Sequence, residues 1–141
     1  MPAAESSLLT PQAALIYAMI TTSAVDRSIS DQELQRMGSI VRQLPAFADY
    51  NHEGLVQDAQ DCGKILGRSS GLDRVLALID ASLPENLRET AYILCAEVAA
   101  ADLEVKAEER RFLQLLAAEL ELDQLTCAAL DRAAHARHQK V

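Results

Sequence analysis

Carboxylates set at a repeated spacing are the residues here that could do chemistry. Asp26-Arg27-Ser28-Ile29-Ser30-Asp31-Gln32-Glu33 aligns without a gap with Asp102-Leu103-Glu104-Val105-Lys106-Ala107-Glu108-Glu109, 76 positions later. Both copies read Asp, two variable residues, a β-branched apolar residue, three variable residues and Glu. If the two copies pack about a pseudo-twofold axis, Asp26, Glu33, Asp102 and Glu109 converge, and carboxylates converging from facing helices can hold a divalent cation. Hard oxygen donors rank calcium or magnesium above zinc. The same residues also suit a purely structural role, because Asx turns and capping boxes use Asp, Ser and Glu at helix N-termini. The pattern differs from an EF-hand, which needs glycine at position six and a bidentate glutamate at position twelve. Here Ile29 arrives at position four, and Met37 and Leu113 stand at twelve.

Other chemistry finds little support. His135 and His138 lie three apart on one helical face and could share a transition metal, although imidazoles near a helix C-terminus also favour the macrodipole. His52 reads as a surface residue, and Tyr17 and Tyr92 as core. Cys62, Cys95 and Cys127 are odd in number, widely separated and set in apolar helical patterns, as expected of small buried hydrophobes in a reducing cytoplasm. Nucleophile elbows, glycine-rich phosphate loops and His-Glu-x-x-His motifs are absent from the sequence, so the chain is not expected to be an enzyme.

The elements that must position these groups are helices. Half of the residues are apolar and only 4% are aromatic, and Gly and Pro together number nine, 5 and 4. That composition favours helices packed through small side chains. Thr10-Pro11 opens a first helix running to about Val25, and Ser30 with Glu33 signals a capping box for a second, ended by Pro45. A third begins near Asn51 with the stripe Leu55, Ala59, Cys62 and Leu66. A shorter fourth, capped by Ser69 or Ser70, carries Leu72, Val75, Leu76, Ile79 and Leu83. Pro84 starts a fifth, the second acidic loop leads into a sixth, and Asp123 caps a seventh whose Leu125, Ala129 and Ala133 are expected to face inward. The expectation is an all-α compact bundle of about seven helices with an internal pseudo-twofold duplication, a tail over residues 1–10 and one domain over 11–138. Ile29 and Val105, at equivalent points of the two turns, should be buried close together, paired through a short β-like stretch of backbone.

The net charge is −8 and acidic in both halves: residues 1–70 carry 8 acids and 5 bases, and residues 71–141 carry 13 and 8. Without a basic stripe to neutralise phosphates, nucleic acid is not an expected partner. A cation or a protein partner suits this surface better. With no bilayer-length apolar run in the sequence, a cytoplasmic location is expected, and attachment to a membrane would run through a partner protein.

The two motifs in their context, Ala24-Val25-Asp26-Arg27-Ser28-Ile29-Ser30-Asp31-Gln32-Glu33 and Ala100-Ala101-Asp102-Leu103-Glu104-Val105-Lys106-Ala107-Glu108-Glu109, together with Leu116-Ala117-Ala118-Glu119-Leu120-Glu121-Leu122, resemble the TerB-like tellurite-resistance proteins from about residue 11 to 138. The resemblance implies an all-helical bacterial domain tied to tellurite resistance and stress responses, with metal association and without enzymatic activity, and it singles out Asp26, Glu33, Asp102 and Glu109. Arg27 and Leu103 depart from it, standing where such proteins often carry Gly after the Asp. Three function classes follow: a binding domain for a cation or protein partner, a purely structural interaction module, and a metal-dependent helical-bundle enzyme.

Overall fold

The computed structural model describes residues 8–24, 29–101 and 105–141. Within them lie seven α-helices and no strand: α1 (Pro11–Ala24), α2 (Asp31–Arg42), α3 (Leu55–Leu66), α4 (Gly71–Ser82), α5 (Arg88–Ala100), α6 (Ala107–Glu119) and α7 (Gln124–Arg137). Short 3-10 turns, Pro45–Phe47, His52–Gly54 and Glu85–Leu87, join some of them. The last two replace the first turns that the sequence assigns to the third and fifth helices.

Helix α1 is the axis of the molecule. Every residue from Ala13 to Ser23 is buried, and α3, α4, α5 and α6 all pack against it. A helix sheathed on all sides cannot leave polar groups bare. Its two buried threonines comply by donating to the preceding turn, Thr21 Oγ1 to Tyr17 O and Thr22 Oγ1 to Ala18 O, both at 2.8 Å. Thr10 caps its start, accepting from Ala13 N at 3.1 Å.

Around this axis the halves have parallel neighbours. α1 packs on α3 as α5 packs on α7, and α1 lies against α5. Small residues on α5, namely Ala91, Cys95, Ala96, Ala99 and Ala100, are all buried. Arg88 ties three elements together: Nη2 meets Asp80 Oδ1 of α4 at 2.8 Å, Nη1 donates at 2.9 Å to the Leu120 carbonyl at the end of α6, and Nε faces Glu85 at 3.3 Å. The tail is anchored as well, with Leu9 N donating to Ser82 Oγ at 3.0 Å.

Two local expectations are overturned. Ser70 precedes α4 but makes no side-chain cap; it sits in the left-handed region at φ 57°. The chain turns so tightly here that a Cβ on Gly71 would collide with the Ile65 carbonyl oxygen and lie 2.8 Å from Leu66 Cα, so α4 is set against the end of α3 through a glycine that a larger residue could replace only by displacing backbone. On α7 the inward stripe is Cys127, Leu130, Ala134 and His138, whereas Leu125, Ala129 and Ala133 are exposed, Leu125 by 83%. Both stripes have helical spacing. The helix turns toward α5 the one that carries Leu130 and Ala134.

Candidate functional site

The acidic repeat is described in part. Asp26 and Asp102 lie outside the described residues, while Glu33 and Glu109 are both seen in the first turn of the helix that follows each loop. Glu33 completes a capping box. Its Oε1 accepts from Ser30 N and Ser30 Oγ, each at 3.1 Å, and Ser30 Oγ accepts from Glu33 N at 3.1 Å. At the second loop Glu109 Oε1 accepts from Lys106 N at 3.1 Å, but a lysine side chain has no acceptor to return the bond. Each glutamate therefore closes its loop and faces the positive end of a helix dipole. Any ion held there would share carboxylates that already cap.

Ile29 and Val105 are half-buried, each packed against the core. No backbone hydrogen bond joins them among the described residues, so the expected β-like pairing is not formed. Among the described residues no three His, Cys, Asp or Glu side chains stand together as a metal group.

The histidines divide among different partners. His138 Nε2 lies 3.2 Å from Glu97 Oε1, an oxygen that also pairs with Arg137 Nε at 2.8 Å, while His135 Nε2 lies 2.9 Å from Gln139 Nε2. The pair thus fastens the end of α7, through His138, to α5. His52 is not the surface residue expected: it is half-buried, packs edge-on against Tyr50 with ring centroids 5.7 Å apart, and its Nδ1 is buried without a hydrogen-bond partner.

The cysteines are thiols. Burial pushes Cys62 up to about 11 and Cys95 up to about 12, against partial relief from Thr21 and Thr22 respectively. Cys127 is half-buried and also raised, by burial first and then by Asp131 and Asp123. None forms a disulfide.

Two clefts open beside the repeat. One, of about 650 Å³, lies between α1, α2 and α3. Ile20, Ala24, Ile29, Leu34, Ala59 and Leu66 make it mostly apolar, and Val56, 50% exposed, stands at its rim. The other, of about 370 Å³, lies between α5, α6 and α7. Ala96, Ala100, Val105 and Leu113 give it apolar walls, and Tyr92, Arg110, Gln114, Asp131 and His135 give it polar ones. Tyr92 donates its hydroxyl to Asp131 Oδ1 at 2.9 Å, and burial with this bond raises the phenol far above its ordinary value. Burial also raises the Asp131 carboxyl, opposed by the Tyr92 bond and by the charge of Arg110.

Sequence reasoning missed this second cleft: Tyr92 is core as expected, but its hydroxyl reaches the cleft, and Arg110 and Asp131 were left unremarked. One signal was present. In the 76-residue register Arg110 falls opposite Leu34, so a cation stands at a position that is apolar in the first copy.

Among the described residues no helix is long and apolar enough to cross a membrane. No curated protein and no solved structure matches the chain. A protein-family model, Tellurite resistance protein TerB, matches residues 12–132, from the first turn of α1 into α7. With most of its length covered by that match, and an all-helical fold of the kind the resemblance implies, the chain belongs to the TerB tellurite-resistance family.

Proposed function

We propose that this TerB domain is a non-enzymatic binding module that takes a divalent cation, and through it a protein partner, at the two acidic loops. The observation that carries the reading is the recurrence of one arrangement: after each Asp-bearing loop a glutamate, Glu33 or Glu109, reaches back at 3.1 Å to the backbone N–H that begins the next helix. If the Asp of each loop comes near that glutamate, a hard cation relieves the mutual repulsion of the two acids. Calcium or magnesium fits oxygen donors better than zinc does. The thiols held neutral by burial speak for binding over thiolate chemistry, and they suit work in the cytoplasm. The net charge of −8 suits a basic partner surface, including one on a membrane-held protein.

Thermal unfolding tests the cation. Millimolar calcium or magnesium should raise the melting temperature above that seen with sodium at equal ionic strength, since a ligand selective for the folded state stabilises it by mass action. Asp102→Asn and Glu109→Gln should each reduce the gain. Equal melting temperatures in all three salts would leave the loops a purely structural role.

A further inference from the structure

We propose that the cleft between α5, α6 and α7 is a binding site for a small zwitterion with an apolar side chain, an α-amino acid being the simplest member of the class. The site is separate from the acidic loops and does not depend on the reading above.

Its walls carry one cation and one anion. Arg110 on α6 and Asp131 on α7 both line the cleft, near enough for the arginine's charge to act on the carboxyl. Yet they make no ion pair within 4.0 Å, and among the described residues Arg110 has no other carboxylate partner. Two helices hold opposite charges apart across a space that a ligand with both charges would bridge. A simple anion would meet Asp131, and a simple cation would meet Arg110. A molecule presenting a carboxylate to the planar guanidinium and an ammonium to Asp131 satisfies both.

The rest of the cleft agrees with that choice. Tyr92 occupies Asp131 Oδ1 from the buried side and so fixes the carboxylate. Oδ2 has no donor among the described residues, which leaves it for the ammonium. Ala96 and Ala100, one turn apart on α5, are both buried and carry no atom beyond Cβ, which opens the space that Val105 and Leu113 then line. About 370 Å³ falls within the range of small-molecule sites, at its lower end. The cleft beside α2 has Leu34 in the corresponding position and is lined by no opposed pair of charges, so the proposal concerns the second half alone.

The test uses the whole chain and three probes: L-leucine, N-acetyl-L-leucine, which lacks the ammonium, and L-leucinamide, which lacks the carboxylate. L-Leucine should shift the backbone amide resonances of Ala96, Ala100, Val105 and Leu113 along a saturating curve. Each blocked analogue should bind at least about tenfold more weakly, as should Arg110→Gln and Asp131→Asn with L-leucine, since each lacks one charge-assisted contact. Arg110 and Asp131 are both exposed residues, and the amide oxygen introduced by Asp131→Asn would still accept the Tyr92 hydroxyl, so circular dichroism should show unchanged helicity. The proposal is overturned if L-leucine at about 10 mM moves none of these resonances, if the blocked analogues bind as well as the parent, or if the two variants with intact helicity bind normally.

Discussion

At the scale of single residues, burial decides what the ionisable groups can do. Cys62 and Cys95 sit wholly inside, and their raised values keep them protonated at neutral pH. The sign of the linkage follows from the unfolded chain, where a thiol titrates near 9. Below that pH both states hold the proton and the thiols add no pH dependence. Between about 9 and 11 the unfolded chain loses the Cys62 proton while the folded protein keeps it, and stability falls. The loss from Cys62 is on the order of 2 to 3 kcal/mol by the upper end of that window. Urea melts from pH 8 to 11 should show this decline, and Cys62→Ala should be less stable throughout yet flatter over the same range. A thiol reagent at pH 8 should label Cys127 in the native protein, and reach Cys62 and Cys95 only after unfolding. Equal labelling of all three would contradict the burial on which both expectations rest. The buried thiols were legible in the sequence, since cysteines odd in number and spread through apolar helical stripes neither pair off nor cluster as metal ligands. His52 was not legible: its burial depends on Tyr50 and on the 3-10 turn that carries it, neither of which has a periodic signature.

At the scale of elements, caps and breakers were readable and faces were not. Pro45, Pro84, Thr10 and Asp123 mark chain turns because each acts through its own backbone or the next three residues. Glu121 is an exception in chemistry though not in place. It ends α6 at φ 58°, with Leu122 N bonding Ala117 O at 3.0 Å and Glu121 N bonding Ala118 O at 3.2 Å, a Schellman arrangement that usually employs glycine. Replacing Glu121 by Gly removes left-handed strain of about 1 to 2 kcal/mol and adds entropy to the unfolded chain, so a net gain of about 0.5 to 1 kcal/mol is expected in denaturant melts. Gly71→Ala should do the reverse, losing about 1 to 3 kcal/mol or more, because its neighbours are backbone atoms that cannot give way. The face of α7 was misread for a physical reason. Leu125, Ala129 and Ala133 form one helical stripe, and Cys127, Leu130 and Ala134 another. Period alone does not rank two apolar stripes on one helix; the partner does, and that partner, α5, is separated from α7 in sequence by the whole of α6. Accordingly Leu130→Ala should cost about 1 to 2 kcal/mol, and Leu125→Ala no more than about 0.5 kcal/mol.

At the scale of the whole molecule, the two halves have like elements but unlike attachment. α6 packs against α1, α4 and α5, whereas α2 has no helix–helix contact of comparable extent and buries only Met37, Gly38 and Val41. The apolar cleft beside it, bounded by Leu34 and Val56, is the gap that remains between α2 and α3. An element with few buried contacts opens below the free energy of global unfolding, while the helices that sheathe the core open only with the whole. Amide hydrogen exchange should therefore be slowest in α1 and α5 and fastest, among the seven helices, in α2. Ile16→Ala, in the fully enclosed helix, should lower global stability by about 2 to 5 kcal/mol and speed exchange everywhere. Leu34→Ala should speed it in α2 chiefly. The same contrast gives the cation reading a sharper test than a melting curve. Glu33 belongs to the loosely held α2 and Glu109 to the firmly packed α6, so an ion bound at the first loop fastens the one helix that has stability to gain locally. Adding calcium should slow exchange along the first turns of α2 by a factor that grows with its concentration, and leave α1 nearly unchanged. A uniform slowing across all helices would indicate binding felt only through global stability, and no slowing in α2 would remove the first loop from the site.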